Sequence, residues 1–223
     1  MNEIGLRWQE TRAQLPQNVQ LVAVSKFHPA ESLQKAYDAG CRVFGESRVQ
    51  ELCAKRELLP TDIAWHFIGH LQPNKVKYIA PFVSLVHAVD TPKLLAEISK
   101  RGEQNDRSIP CLLQVHVARE ETKFGFSPDE LTDFLSLGAW RELRGADIQG
   151  LMCMASNTDD MEQVATEFKL VCQLFNNVKQ SFFSDKDTFC LRSYGMSHDW
   201  PVAVKHGSNM VRIGTRIFGE REY

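Results

Sequence analysis

No run of consecutive apolar residues in this 223-residue chain comes near the roughly 18 needed to cross a bilayer, so no membrane-spanning helix is expected. The first stretch, Met1 to Arg12, carries charges throughout and lacks the apolar centre of a secretion signal. Neither sign of charge dominates. Lys and Arg number 26 against 28 Asp and Glu, a formal charge of −2, so no bulk field draws the chain to nucleic acid or to an acidic membrane. Cysteine is sparse and scattered: Cys41, Cys53, Cys111, Cys153, Cys172 and Cys190 include no CxxC pair. That pattern argues against a disulfide framework or a zinc site and for a reducing, cytoplasmic setting. Cys41, Cys111, Cys153 and Cys190 stand in or beside apolar runs, where thiols behave as small hydrophobes. A GxSxG elbow, a P-loop and a GxGxxG turn are all missing. Nor do the histidines form a metal set: His66 and His70 are four apart, but Gly69 and a strand-to-loop context spoil a helical ligand pair.

What is present is regular. Apolar residues make up 43% of the chain, enough for a sizeable core. A helix with Ile4, Trp8, Thr11 and Leu15 on one side opens it and ends at Pro16. Short apolar strands follow at 20–25, 42–44, 64–68, 84–88, 111–117, 148–152, 188–192 and 209–213. Helical patterns alternate with them. One is opened by Pro29 and stopped by Gly40, one is capped by Ser47, and others start at Thr91-Pro92 and Ser127-Pro128. A long one after Asp160 carries Val164, Phe168, Val171 and Phe175 inward, and a short one spans 197–205. The polar stretch 100–108 reads as a solvated loop. Eight alternating units without a composition shift predict an α/β fold: one domain over 1–223, a closed (β/α)8 TIM barrel with an extra N-terminal helix.

Active sites of such barrels form at the carboxyl ends of the strands. Those exits hold Lys26 and His28; Glu46, Ser47 and Arg48; His66, His70 and Asn74; His87 and Asp90; His116, Arg119 and Lys123; Met154, Ser156 and Asn157; Ser193 to Ser197; and Arg212 to Thr215. The run Leu21-Val22-Ala23-Val24-Ser25-Lys26 is the centre of the set. A lysine at the end of a buried strand fits two readings, a side chain that snorkels into water or a reactive amine held at the mouth of a site. Gly195 to Ser197 and Gly214-Thr215 each place a glycine and a hydroxyl at a helix start, an arrangement that cradles anions. Loops after strands 7 and 8 are the recurrent phosphate site of barrels, so a phosphate ligand is expected there. Arg212, inside the last apolar strand, needs a partner: an acid such as Glu46, or a ligand.

Several motifs then stand in order: Val24-Ser25-Lys26, Phe44-Gly45-Glu46-Ser47-Arg48-Val49-Gln50-Glu51, His66-Phe67-Ile68-Gly69-His70-Leu71-Gln72-Pro73-Asn74-Lys75, Lys123-Phe124-Gly125-Phe126, Gly150-Leu151-Met152, Gly195-Met196-Ser197 and Val211-Arg212-Ile213-Gly214-Thr215-Arg216-Ile217-Phe218-Gly219. From about residue 20 to the end the chain resembles the pyridoxal phosphate homeostasis protein family. That resemblance implies the barrel of alanine racemase and other fold-type III enzymes, with pyridoxal 5′-phosphate as cofactor. Lys26 then matches the lysine that holds it as an internal aldimine; Ser197, Gly214 and Thr215 match phosphate contacts; Arg212 matches the residue that faces the pyridine nitrogen. Ser47, His66, Met154, Ser193 and Met196 complete the set expected around the cofactor. Ser47 and His116 depart from the asparagines usual in the family, and Tyr194 from its methionine.

An arginine has no acceptor to offer a protonated pyridine nitrogen, so the ring is a weaker electron sink. The resemblance also implies that the second β domain of the enzymes is missing after Tyr223, with the dimer it builds. The expectation is therefore a monomeric, non-catalytic carrier that buffers the cofactor for amino-acid metabolism, with pyridoxal phosphate-dependent apoenzymes as recipients. The alternative is a weakly active amino-acid racemase or related enzyme using Lys26 with Tyr194 or His198.

Overall fold

Short β-branched runs bounded by turn residues pair most readily in parallel when helices cover them. Here the strands are β1 (Gln20–Val24), β2 (Val43–Glu46), β3 (Ala64–Phe67), β4 (Leu85–Val89), β5 (Ile109–His116), β6 (Ala146–Met154), β7 (Leu191–Ser193) and β8 (Met210–Ile213). Each pairs in parallel with the next, and β8 returns to β1 with Val22 opposite Arg212, so the barrel is closed. The computed structural model describes residues 2–118 and 124–220; Arg119 and Lys123 lie outside them.

The helices are α1 (Glu3–Ala13) before β1, then α2 (Ala30–Asp38), α3 (Val49–Leu58), α4 (Val76–Ile79), α5 (Pro92–Glu103), α6 (Pro128–Ser136), α7 (Met161–Phe182), α8 (Trp200–Lys205) and α9 (Thr215–Phe218). Three begin on the expected caps. Thr91 accepts from the Leu94 amide, Ser127 and Glu130 form a reciprocal capping box, and Asp160 accepts from the Glu162 and Gln163 amides. Val164, Phe168, Val171 and Phe175 of α7 are all buried. No helix among the described residues is long and apolar enough to cross a membrane.

Four local expectations are corrected. Ser47 does not cap α3; Arg48 takes the cap position without a side-chain bond, because the strand alternation turns Ser47 inward. Residues 100–103 are helix, not loop: Gly102 is buried in α5, and a Cβ there would lie 2.1 Å from the Gly145 carbonyl. Strand 7 starts three residues late, because Phe189 is drawn out of it into a stack with Phe175 and Phe183. That shift leaves Cys190 exposed rather than packed.

Strand side chains alternate between the barrel interior and the helical layer with period two. Val22, Leu85, Leu112, Met152 and Met210 form an apolar plug separate from the larger core under the helices. One step further along the strands the interior becomes polar. Arg212 Nη1 donates to Ser193 Oγ at 2.7 Å, Ser193 Oγ meets His87 Nδ1 at 3.0 Å, and His87 Nε2 meets His66 Nδ1 at 2.9 Å. All four residues are buried. Burial pushes the His66 pKa down to about 3, and burial with the neighbouring His66 and Arg212 pushes His87 well below its usual value. Burial therefore favours the neutral form of both rings, each with one ring N–H, and one of these protons occupies the hydrogen bond between His87 Nε2 and His66 Nδ1.

The sign of the pH dependence follows. Folded-state pKa values lie below the unfolded value of 6.5, so the histidine contribution is full above that pH and is lost as pH falls through and below it. Each histidine costs roughly 1.4 kcal/mol per pH unit in the acid range. Glu46, whose carboxyl burial pushes up to about 7, titrates in the opposite sense. Urea unfolding compared between the parent and His87→Gln isolates the histidine, since Glu46 is common to both. The variant should show a stability–pH slope smaller by about one proton below about pH 6; equal slopes would contradict the neutral pair.

Candidate functional site

Two residues beyond the polar layer, the same inward-facing positions line a cavity of about 280 Å³ at the carboxyl ends of the strands. Val24 and Lys26 come from β1 and its exit, Ser47 from that of β2, Ile68 from that of β3, and Met154 and Asn157 from β6 and its exit. Met196, Ser197 and His198 follow β7, and Arg212, Gly214 and Thr215 close the ring from β8. Larger hollows exist, one of about 450 Å³ around Trp8 and Arg42 at the amino ends of β1 and β2 and one of about 730 Å³ around Leu58 outside α2 and α3. Neither gathers polar groups from several strand ends.

Lys26 stands at the end of β1, half-buried. Its neighbours in sequence take opposite sides. Ser25 points away from the barrel, where its Oγ donates to Glu46 Oε1 at 2.6 Å, and Phe27 takes a left-handed φ of 69°. The β8 exit is pressed close to β1: a Cβ on Gly214 would lie 2.8 Å from the Val24 carbonyl. Glycine is therefore what lets the Gly214-Thr215 turn approach the lysine strand. The Gly214 amide reaches Ser197 Oγ at 3.4 Å, which joins the two exit loops. Gly195, with φ of 89°, brings the other loop against Trp200 and Ala203.

Arg212 forms the floor. Among the described residues, its Nη1 donates to the Ser193 carbonyl at 2.6 Å and to Ser193 Oγ, and its Nη2 to the Cys153 carbonyl at 2.9 Å. These carbonyls fix the guanidinium plane, and burial lowers its pKa. No carboxylate is among the described residues that line the cavity. A basic floor, hydroxyls, glycine turns and an amine on one wall suit an anionic molecule with an electrophilic carbon.

Eight residues of the expected cofactor set meet here: Lys26, Ser47, Met154, Met196, Ser197, Arg212, Gly214 and Thr215. His66 and Ser193 do not; they lie in the polar layer beneath and touch the cavity only through Arg212 and His87. Arg212 is not paired with Glu46, which points outward to Lys55. Tyr194 is likewise turned away from the cavity, buried against Phe168 with ring centroids 6.3 Å apart. His66 and His70 part company too, since His70 meets Asp90 at 2.7 Å outside the interior layer. No group of three or more His, Cys, Asp or Glu among the described residues could hold a metal ion. Val24, Ile68, Asn157 and His198 complete the lining beyond the expected binding set. The two-residue period would have found Val24 and Ile68, two residues before Lys26 and two residues after His66.

Similarity to known proteins agrees with this geometry. The family described as alanine racemase, N-terminal domain, matches residues 2–222. The chain is 38% identical over 204 residues to the pyridoxal phosphate homeostasis protein of Aquifex aeolicus, covering 91% of this chain and 87% of that one. It is 36% identical over 207 residues to the protein of the same name from Schizosaccharomyces pombe, covering 92% and 85%. PipY of Synechococcus elongatus, solved with pyridoxal phosphate bound, superposes with a TM-score of 0.88 at 35% identity over 97% of this chain and all of that one. The alanine racemase of Bartonella henselae shares the fold alone, with a TM-score of 0.72 at 16% identity over 98% of this chain and 59% of that one. The chain belongs to the pyridoxal phosphate homeostasis protein family, within the alanine racemase N-terminal domain family.

Proposed function

We propose that this protein binds pyridoxal 5′-phosphate in the strand-end cavity, covalently through Lys26, and serves as a carrier of the cofactor rather than as an enzyme. The observation that carries the reading is the composition of the cavity: an amine, two hydroxyl-bearing glycine turns and a fixed arginine, with no carboxylate among the described lining residues. In this reading Ser197, Gly214 and Thr215 hold the phosphate, Lys26 Nζ holds the aldehyde carbon, and Arg212 faces the ring nitrogen. Ser47, Met154 and Met196 supply the walls, and His66 and Ser193 support Arg212 from below. The cofactor supplies an electrophilic aldehyde and an electron-withdrawing ring.

Arg212 favours storage over turnover. It remains a donor, fixed by two backbone carbonyls, and cannot accept a proton from a pyridinium. The racemase alternative loses one of its candidate groups, since Tyr194 is buried away from the cavity; His198 alone lines it. The same proposal has the protein as a monomer, with residues 1–223 as one cofactor-binding domain. The same reading has the protein working in the cytoplasm and passing the cofactor to pyridoxal phosphate-dependent apoenzymes.

An absorbance titration with pyridoxal phosphate tests the binding. The protein should turn yellow, and Lys26→Ala should lose the colour while keeping weak binding through the phosphate turns. A protein that takes up no cofactor contradicts the reading. Gly214→Ala should weaken binding at least tenfold, because the added methyl meets the Val24 carbonyl; unchanged affinity, measured by fluorescence quenching, would remove the phosphate role of that turn. Loaded protein mixed with alanine or serine should show no Lys26-dependent turnover, and product formation at enzyme-like rates would overturn the carrier assignment.

A further inference from the structure

Outside the barrel, directly behind Lys26, lies a charged cluster that the cofactor reading does not use. Lys55 of α3 is buried, and its ammonium has three donors. They go to the Ser25 carbonyl at 2.8 Å, Glu46 Oε1 at 2.7 Å and Glu51 Oε1 at 2.6 Å. Glu51 Oε1 in turn accepts from the Phe27 amide at 2.7 Å. The Ser25 carbonyl belongs to the peptide group before Lys26, and the Phe27 amide to the peptide group after it. One ion cluster therefore grips both peptide planes that flank the lysine. Ser25 Oγ adds a third tie through Glu46 Oε1.

We propose that Lys55 and Glu51 are positioning residues that fix the direction in which Lys26 enters the cavity. The claim rests on the proposed covalent role of Lys26 and extends it. Two facts show that the backbone needs such a hold. Phe27 is in the left-handed region at φ 69°, which bulky residues rarely adopt without restraint from their surroundings. The cluster is also costly to bury: Glu46 is fully buried with Oε2 unpartnered among the described residues. A packed apolar group would serve α3 equally well if stability were the only demand. A charge-assisted clamp, by contrast, sets angles as well as distances. Period two explains the division of labour. Ser25 and Glu46 face outward to the clamp, and Lys26 and Ser47 face inward to the cavity.

The test separates aiming of Lys26 from general binding. Pyridoxamine 5′-phosphate has the ring and the phosphate but no aldehyde, so it reports the site without the lysine linkage. Glu51→Ala is the main variant, because that side chain is a fifth exposed and its loss spares the core. Lys55→Met with Glu46→Gln, which removes both buried charges together, is the second. In each, covalent uptake of pyridoxal phosphate, followed by the absorbance of the linked cofactor, should slow at least tenfold. Affinity for pyridoxamine phosphate should stay within twofold. Equal losses for both ligands, or no loss for either, would overturn the proposal. Hydrogen exchange in cofactor-free protein gives an independent reading. The Phe27 amide should lose protection in Glu51→Ala while β1 amides keep theirs, and unchanged protection at Phe27 counts against the clamp. If the parent itself forms no linkage at Lys26, the cofactor reading fails, and the exchange result still decides whether the clamp holds the strand end.

Discussion

Closure of a parallel barrel with a two-residue side-chain period is the constraint on which the molecule depends. Once β8 pairs with β1 and places Arg212 opposite Val22, the inward positions of these two strands are fixed by count. Val22, Val24 and Lys26 climb one wall, and Met210, Arg212 and Gly214 climb the next. A slip by one residue would send Lys26 into the helical layer and Ser25 into the cavity. The apolar plug at the amino end and the main core beneath the helices both favour the observed register, because a slip would expose or misplace their members.

The polar layer between plug and cavity stands on the same geometry. A guanidinium, a hydroxyl and two imidazoles are buried together, and they are tolerable there because each meets a partner. Their arrangement turns a mobile arginine into a fixed floor. The outer ion cluster treats the neighbouring strand in the same way from its outer side, with Lys55 and Glu51 holding the peptide groups beside Lys26. Lysine and arginine are both long and flexible, and a site that must address one small ligand needs both ends defined. The two networks lie on different faces of the barrel wall and share no residue.

Much of this is legible in the chain itself. The strands other than the seventh, Gly40 as a helix stop, and the caps Thr91, Ser127 and Asp160 follow from local chemistry and appear as expected. The exits named Lys26 and the Gly214-Thr215 turn, and both line the cavity. What failed was depth. His66 and Ser193 sit at strand ends in sequence yet lie one layer below the cavity, where both meet His87, while Ile68 and Met196, further along the same exits, reach the lining. Glu46 was a reasonable acid for Arg212 on charge alone, but parity puts the two on opposite sides of the wall. Phe189 could not be told from a strand residue, since its removal into an aromatic stack is decided by Phe175 and Phe183, which lie far off in sequence or across a turn.

The central claim is that one lysine out of the chain's set is the covalent anchor. Borohydride reduction of the protein loaded with pyridoxal phosphate, followed by peptide mapping by mass spectrometry, tests it most directly. The cofactor mass should appear on the peptide containing Lys26 at close to one equivalent. A label spread over surface lysines, or concentrated on another lysine such as Lys75, would contradict the account.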